Sequence, residues 1–507
     1  MENKTKKPIK SVAIIGAGAA GAVTAAAFEA EKYYERIRVF ERRETPGGTW
    51  IYDPSPLKHP PRPGALAPEI DPPLKPPENL PRTTPPSKQE RYSQTPIYSS
   101  LTTNVPDIAM SFSDSRFAYG PFAPHHIPRQ YIENYFSYHK TDSYLVLNTT
   151  LELLTRIPPS SAQEDGLDRW SLTLRHHNPA LNQDTWYTEQ FDAVVLATGH
   201  YSIPYIPFVP GLAEYISLHP SKIQHSKFYR SPEAYTSKKI LVVGNSASGH
   251  DISAELTSTA QLPVLVSRRS PSRWDGDSAP EGIEWKPVIS EFLPSSGRII
   301  FADGTCLDDV DTVIYCTGYQ VSFPFWDSPR PNGPGGEEQL LWDYKAGRLK
   351  GNYQHTFLRE YPTLGVVGMP RVLTFRSFEY QAVALARYWS GRNARPLPPL
   401  KEQERWELSR AEARRKERRK FHDIAWDDGE TEEWLGWLFT FAGLGTLRGE
   451  GRIPPALSED VVWAVDHVRK YPEPGKDEQR KESVDVEGDG DWVMVERKGV
   501  KDSLAFI

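Results

Sequence analysis

Two glycine-rich turns, each following an aliphatic strand pattern and each opening a helix, constrain this chain more than any other feature. The first is Gly16-Ala17-Gly18-Ala19-Ala20-Gly21, after Ser11-Val12-Ala13-Ile14-Ile15 and before small, apolar residues running from Ala22 to Ala30. The second is Gly244-Asn245-Ser246-Ala247-Ser248-Gly249, after Lys239-Ile240-Leu241-Val242-Val243 and before a helix opening at Asp251. Aliphatic runs without alternation suit parallel strands covered on both faces. In such a turn the first glycine bends the chain, the second admits a pyrophosphate to the backbone, and the third lets helix and strand pack closely. The helix N-terminus then stabilises the phosphate charge. The pattern predicts an α/β fold with two Rossmann-like dinucleotide-binding domains.

Each turn is echoed by a later strand that ends in Thr-Gly. These are Ala193-Val194-Val195-Leu196-Ala197-Thr198-Gly199 and Thr312-Val313-Ile314-Tyr315-Cys316-Thr317-Gly318. The order suggests that the second domain is inserted into the first, although spacing alone also fits two consecutive domains. On the nested reading, residues 8–203 form the first part of the outer domain, 204–317 the inserted one, and 318–470 the return with C-terminal helices. Residues 471–507 are charged and poor in apolar residues, which predicts partial disorder. Residues 54–90 carry four Pro-Pro pairs and are expected to be an extended surface excursion. Residues 401–420 read as a solvated, charged helix.

The strand ends choose the nucleotides. Ile37-Arg38-Val39-Phe40 ends in Glu41, followed by Arg42. A carboxylate there accepts from ribose hydroxyls and repels a 2′-phosphate, which suits the adenosine of FAD or NAD. Pro263-Val264-Leu265-Val266 ends instead in Ser267-Arg268-Arg269. Two guanidinium groups can grip a 2′-phosphate, so the second site is expected to take NADPH, with either arginine as the reader.

Further residues narrow the chemistry. Gly47-Gly48-Thr49-Trp50, just past the acidic strand end, resembles the flavin-proximal turn of flavin-dependent monooxygenases. The stretch from Ser217 to Tyr229 resembles the fingerprint F-x-G-x-x-x-H-x-x-x-[FY]: His225 and Tyr229 match, while His219 and Ser221 replace its Phe and Gly. Tyr98-Ser99-Ser100-Leu101-Thr102-Thr103-Asn104 is similar to the segment that brings an asparagine to the flavin. Tyr315-Cys316-Thr317-Gly318-Tyr319, Asn352-Tyr353-Gln354-His355-Thr356-Phe357 and Glu379-Tyr380-Gln381-Ala382 continue the likeness. From about residue 10 to 410 the chain resembles the flavin-containing monooxygenase family, in its soluble fungal-type members.

That resemblance implies FAD and NADPH as cofactors, with NADPH reducing the flavin. O₂ then adds at flavin C4a, and the hydroperoxide oxygenates a small amine or sulfur substrate (N,N-dimethylaniline monooxygenase-like, EC 1.14.13). It implies cofactor contacts at Gly16, Gly18, Ala19, Ala20, Gly21, Glu41, Arg42, Gly48, Thr49, Trp50, Thr103, Thr198 and Gly199. On the second nucleotide it implies Gly244, Asn245, Ser246, Ser248, Gly249, Arg268, Arg269, Thr317 and Gly318. It offers Gln381 a place beside the flavin, with a buried helix position almost equally open. Asn104 is the expected catalytic side chain, since an amide can hydrogen-bond without supplying a proton that expels peroxide early. For His225, a structural interdomain hydrogen bond outweighs a direct catalytic role. Tyr229-Arg230 stands where Baeyer–Villiger relatives carry Trp-Pro, which favours heteroatom oxygenation. A Baeyer–Villiger or N-hydroxylating enzyme and an NADPH reductase remain the alternatives.

Composition excludes other classes. A net charge of −6 gives no cause to expect nucleic acid, and the two cysteines, Cys306 and Cys316, have neither redox-dithiol nor zinc spacing, so no metal is expected. The start shows no secretory signal and no apolar run reaches spanning length, which predicts a cytoplasmic protein without a membrane span.

Overall fold

The structure, a computed structural model, describes residues 9–470 except 57–59, 160–166, 273–274, 328–339, 371, 427 and 447–450, and also the strand Val493–Met494. Its outer domain is built on a seven-stranded sheet in the order Asn352–Tyr353, Phe357–Leu358, Leu364–Val366, Ala193–Leu196, Ser11–Ile15, Arg36–Phe40, Leu145–Val146. The five strands from Leu364–Val366 onward pair parallel, and the first two close the edge antiparallel. A second, wholly parallel sheet runs Ile223–His225, Thr312–Tyr315, Lys239–Val243, Gln261–Ser267, Ile283–Lys286.

The second sheet lies in sequence between Ala193–Leu196 and Leu364–Val366, which are hydrogen-bonded neighbours in the first. The chain therefore leaves the first sheet, builds the second and returns to the first, the order expected of a nested arrangement. The two crossings, Ile203–Pro204 and Tyr319–Gln320, pair antiparallel with each other, so both connections run side by side.

Small residues set the outer core. Helix Ala19–Ala30 packs along helix Thr374–Ser390, and the first helix buries mostly small side chains, among them Ala22, Ala25 and Ala26. A Cβ on Gly21 would lie 1.9 Å from the Gly16 carbonyl oxygen, so the turn and its helix tolerate only glycine there.

Two expectations change. Within the proline-rich stretch, Arg82–Thr84 joins a four-stranded antiparallel sheet by pairing with Gln183–Phe191. That stretch is anchored by buried charge, with Arg91 joined to Asp71 at 2.9 Å and to Glu152 at 3.2 Å. Helix Leu400–Glu417 is not uniformly solvated: Gln403, Glu407 and Arg414 are buried, and Glu407 pairs with Arg359 at 2.8 Å. The supposed tail lies outside the described residues, except that Val493–Met494 pairs with Val468–Arg469. No helix among the described residues is long and apolar enough to cross a membrane.

Candidate cofactor and oxygenation site

The two glycine turns are near copies. Gly16 and Gly244 both take left-handed backbone, at φ +107° and +106°, and each donates to the end of the next strand, Gly16 N to Phe40 O and Gly244 N to Ser267 O. Only glycine adopts that conformation cheaply. Behind each turn the third glycine packs on the first, with Gly249 repeating against Gly244 the contact of Gly21 against Gly16.

Both turns feed one cavity of about 310 Å³. On the outer-domain side it is lined by Gly16, Gly18, Ala19, Ala20, Glu41, Arg42, Gly48, Thr49, Trp50, Asn104, Thr198 and Gly199, as the sequence leads one to expect. From the inserted domain Ala247, Ser248 and Asp251 reach it. Neither helix start is blocked: Ala19–Ala30 and Ala247–Leu256 have no side-chain N-cap and no acidic residue in the first turn. Free amides with a positive helix end are what a pyrophosphate needs. Gly199, at φ +66°, has open space where a Cβ would stand, so flat ring systems can approach its backbone. These features fit a dinucleotide on each side.

Glu41 does more than line the cavity. Its Oε2 accepts from Ala17 N at 2.8 Å and its Oε1 from Arg43 N at 2.9 Å, so the carboxylate also pins the first turn. Trp50 packs partly against the outer core and lines the cavity, which joins its structural and functional readings.

Other expected residues lie around this cavity rather than on it. Thr103 is buried, bonded to Ala123 through both its amide and its hydroxyl. Gly244, Asn245, Ser246 and Gly249 shape the second turn, and Thr317 and Gly318 the second crossing. Arg268 donates to Asp275 at 2.7 Å and lies 3.3 Å over the Trp285 ring, while Arg269 is exposed. Asn245 also donates to Asp275, at 2.7 Å.

Gln381 is a correction. It does not line the cavity: fully buried on helix Thr374–Ser390, its Oε1 accepts from Gly368 N at 3.0 Å and its Nε2 donates to Thr356 Oγ1 at 2.9 Å. A buried amide must find partners, and here they are structural. Gly368 itself does line the cavity.

His225 is fully buried, and burial lowers its pKa to about 3. Nδ1 accepts from Lys227 N at 3.0 Å, so the neutral ring carries its proton on Nε2 and donates to Gly318 O at 3.0 Å. The side chain ties the inserted domain to the second crossing.

The sequence reading missed the wall formed by Ser93 to Tyr98, directly after the proline-rich stretch. It also missed the apolar end made by Val105, Met110, Phe375 and Phe378. The position of the wall just before Tyr98-Ser99-Ser100 was the available signal.

Comparison with known proteins decides the family. The chain is 30% identical over 79% of its length to the flavin-containing monooxygenase iboF of Amanita muscaria, covering 82% of that protein. It belongs to the flavin-containing monooxygenase family. A model of flavin-binding monooxygenase-like proteins matches residues 86–289 and 279–333, and one of NAD(P)-binding Rossmann-like domains matches residues 14–62. The flavin-containing monooxygenase FMO GS-OX-like 9 of Arabidopsis thaliana is 32% identical, over 77% of each chain. The fold is shared with S-allyl-L-cysteine S-oxygenase of Allium sativum, at TM-score 0.66 and 24% identity, covering 94% of both chains. It is shared more distantly with cyclohexanone monooxygenase, at TM-score 0.51 and 12% identity, over 81% of this chain and 90% of that one. As a flavin-containing monooxygenase the protein uses FAD and NADPH.

Proposed function

We propose that this flavin-containing monooxygenase oxygenates a soft nitrogen or sulfur atom of a small organic substrate. The observation that carries the reading is the shared cavity, onto which both helix N-termini open beside an apolar end. When bound, the flavin activates O₂ with electrons from NADPH, and the hard chemistry belongs to it.

The chain's own residues bind, orient and exclude. The amides of Ala19 and Ala20 hold the FAD pyrophosphate, and those of Ala247 and Ser248 hold that of NADPH. Glu41 takes the FAD ribose. Arg269, whose guanidinium is exposed, reads the 2′-phosphate, while Arg268 is already held by Asp275 and Trp285. Asn104 offers its side-chain amide to the reacting oxygen without giving up a proton. Val105, Met110, Phe375 and Phe378 keep that end dry and receive an uncharged nucleophile.

The test is product analysis with a thioether, a tertiary amine and a cyclic ketone, each supplied with NADPH and O₂. The expected products are sulfoxide or N-oxide. Ester as the main product would overturn the heteroatom reading and leave a Baeyer–Villiger enzyme.

A further inference from the structure

The segment His225-Ser226-Lys227-Phe228-Tyr229-Arg230 spends its basic side chains on backbone carbonyls of other segments. Lys227 is 1% exposed, and its Nζ donates to Gln94 O at 2.6 Å, Ser202 O at 2.7 Å and Tyr92 O at 3.2 Å. Three protons meet three acceptors. Arg230 donates to Thr95 O at 3.0 Å and to Asp53 O, and its own carbonyl accepts from Ser99 N at 2.8 Å. Gln94, Thr95 and Ser202 line the cavity, and Ser202 precedes the first crossing between domains.

We propose that Lys227 is a positioning residue for oxygenation: its ammonium fastens the cavity wall at Tyr92 and Gln94 and the linker at Ser202 to the NADPH-binding domain, keeping water from the flavin. An uncharged amine has two protons to donate, so deprotonation would leave one of the three carbonyls without its donor, a loss for a buried group. The surroundings bring that change into reach. Burial, with the guanidinium groups of Arg42 and Arg230, lowers the Lys227 pKa to about 7, while the carboxylates of Glu90 and Asp53 oppose the shift. Asp53 is itself paired with Arg43 at 2.6 Å. The wall is therefore fully fastened on the acid side of neutrality and loosened on the alkaline side.

The consequence is a pH-dependent leak. If water reaches the site, the hydride of NADPH and one solvent proton leave with O₂ as hydrogen peroxide, and no substrate is oxygenated. This inference rests on the family's cofactors and not on the identity of the substrate.

The experiment measures peroxide release by the FAD-bound enzyme with NADPH and air, without organic substrate, from about pH 6 to about pH 8.5. One lost hydrogen bond predicts a rise of about three- to tenfold in the wild type, with a midpoint near neutrality. Lys227→Met, which removes all three donors, is expected to leak at the high rate or above it at every pH, and Lys227→Arg, which keeps its charge, at the low rate throughout. A second readout needs no cofactor. At one fixed pH, the amides of Thr95 and Ser99 should exchange hydrogen faster in Lys227→Met by a similar factor, while Val12 in the outer sheet is unchanged. The same inflection in Lys227→Met, or unaltered exchange at Thr95 and Ser99, would overturn the assignment. Failure of NADPH to reduce the wild-type flavin would instead sink the enzyme reading, and the exchange data would still judge Lys227.

Discussion

The two glycine turns share a backbone and differ in what stands at the end of the next strand. At the first, Glu41 is buried and pinned to the turn through the Ala17 amide. At the second, Ser267-Arg268-Arg269 presents guanidinium, and the turn residue Asn245 is bonded outward to Asp275. The helices differ too, since Ala19–Ala30 is buried along nearly its whole length and Ala247–Leu256 on one face only. On the proposed reading, one geometry serves FAD at the buried turn and NADPH at the more exposed one, and side-chain charge makes the distinction.

That comparison can be broken at its hinge points. The largest effect is expected from Gly21→Ala and Gly249→Ala, whose new Cβ atoms would lie 1.9 and 2.0 Å from a carbonyl oxygen. Gly21→Ala should lose FAD altogether. Gly249→Ala should keep FAD, seen in its absorbance, and lose saturable reduction by NADPH. Loss of FAD from both would mean that the turns are not independent.

Arg269→Ala should come next. A lost charge-assisted bond of about 1.5–3 kcal/mol predicts NADPH binding weaker by about 10- to 150-fold, with NADH little changed. Arg268→Ala should do less, because Asp275 already holds that side chain; titration with both nucleotides reads the two variants. A larger effect at Arg268 would reverse their roles.

Asn104→Ala is expected to keep FAD and flavin reduction while product formed per NADPH falls and peroxide rises. Unchanged coupling would remove Asn104 from the site. The smallest effect should be Glu41→Gln, which keeps one acceptor and puts an NH2 donor where the other carboxylate oxygen accepted a backbone N–H. FAD affinity should fall by about two- to tenfold, read by fluorescence on release of the flavin.

Much of this site was legible in the sequence because its signals are local. A glycine turn, its strand and its helix lie within about twenty residues, and Glu41 follows at the distance the mechanism requires. The insertion was half legible: the Thr-Gly echoes pointed to it, but only the pairing of Ala193–Leu196 with Leu364–Val366 decides between nested and consecutive domains. Gln381 was left between the flavin pocket and a buried helix position because a helix residue does not reveal which neighbour takes its amide. The bonds by which Lys227 and Arg230 fasten the wall were invisible for a different reason. Their partners are main-chain carbonyls, which every residue carries, so no side-chain pattern marks which of them will meet.

The most direct test of the central claim, that one cavity seats FAD and NADPH together for oxygen transfer, is stopped-flow absorbance. The FAD-bound enzyme is reduced with NADPH under nitrogen and mixed with oxygenated buffer lacking substrate. The account predicts prompt consumption of O₂ with a marked lag before oxidised-flavin absorbance returns, and loss of that lag in Asn104→Ala. Immediate return of the oxidised spectrum, with one peroxide per flavin and no lag in the wild type, would contradict it.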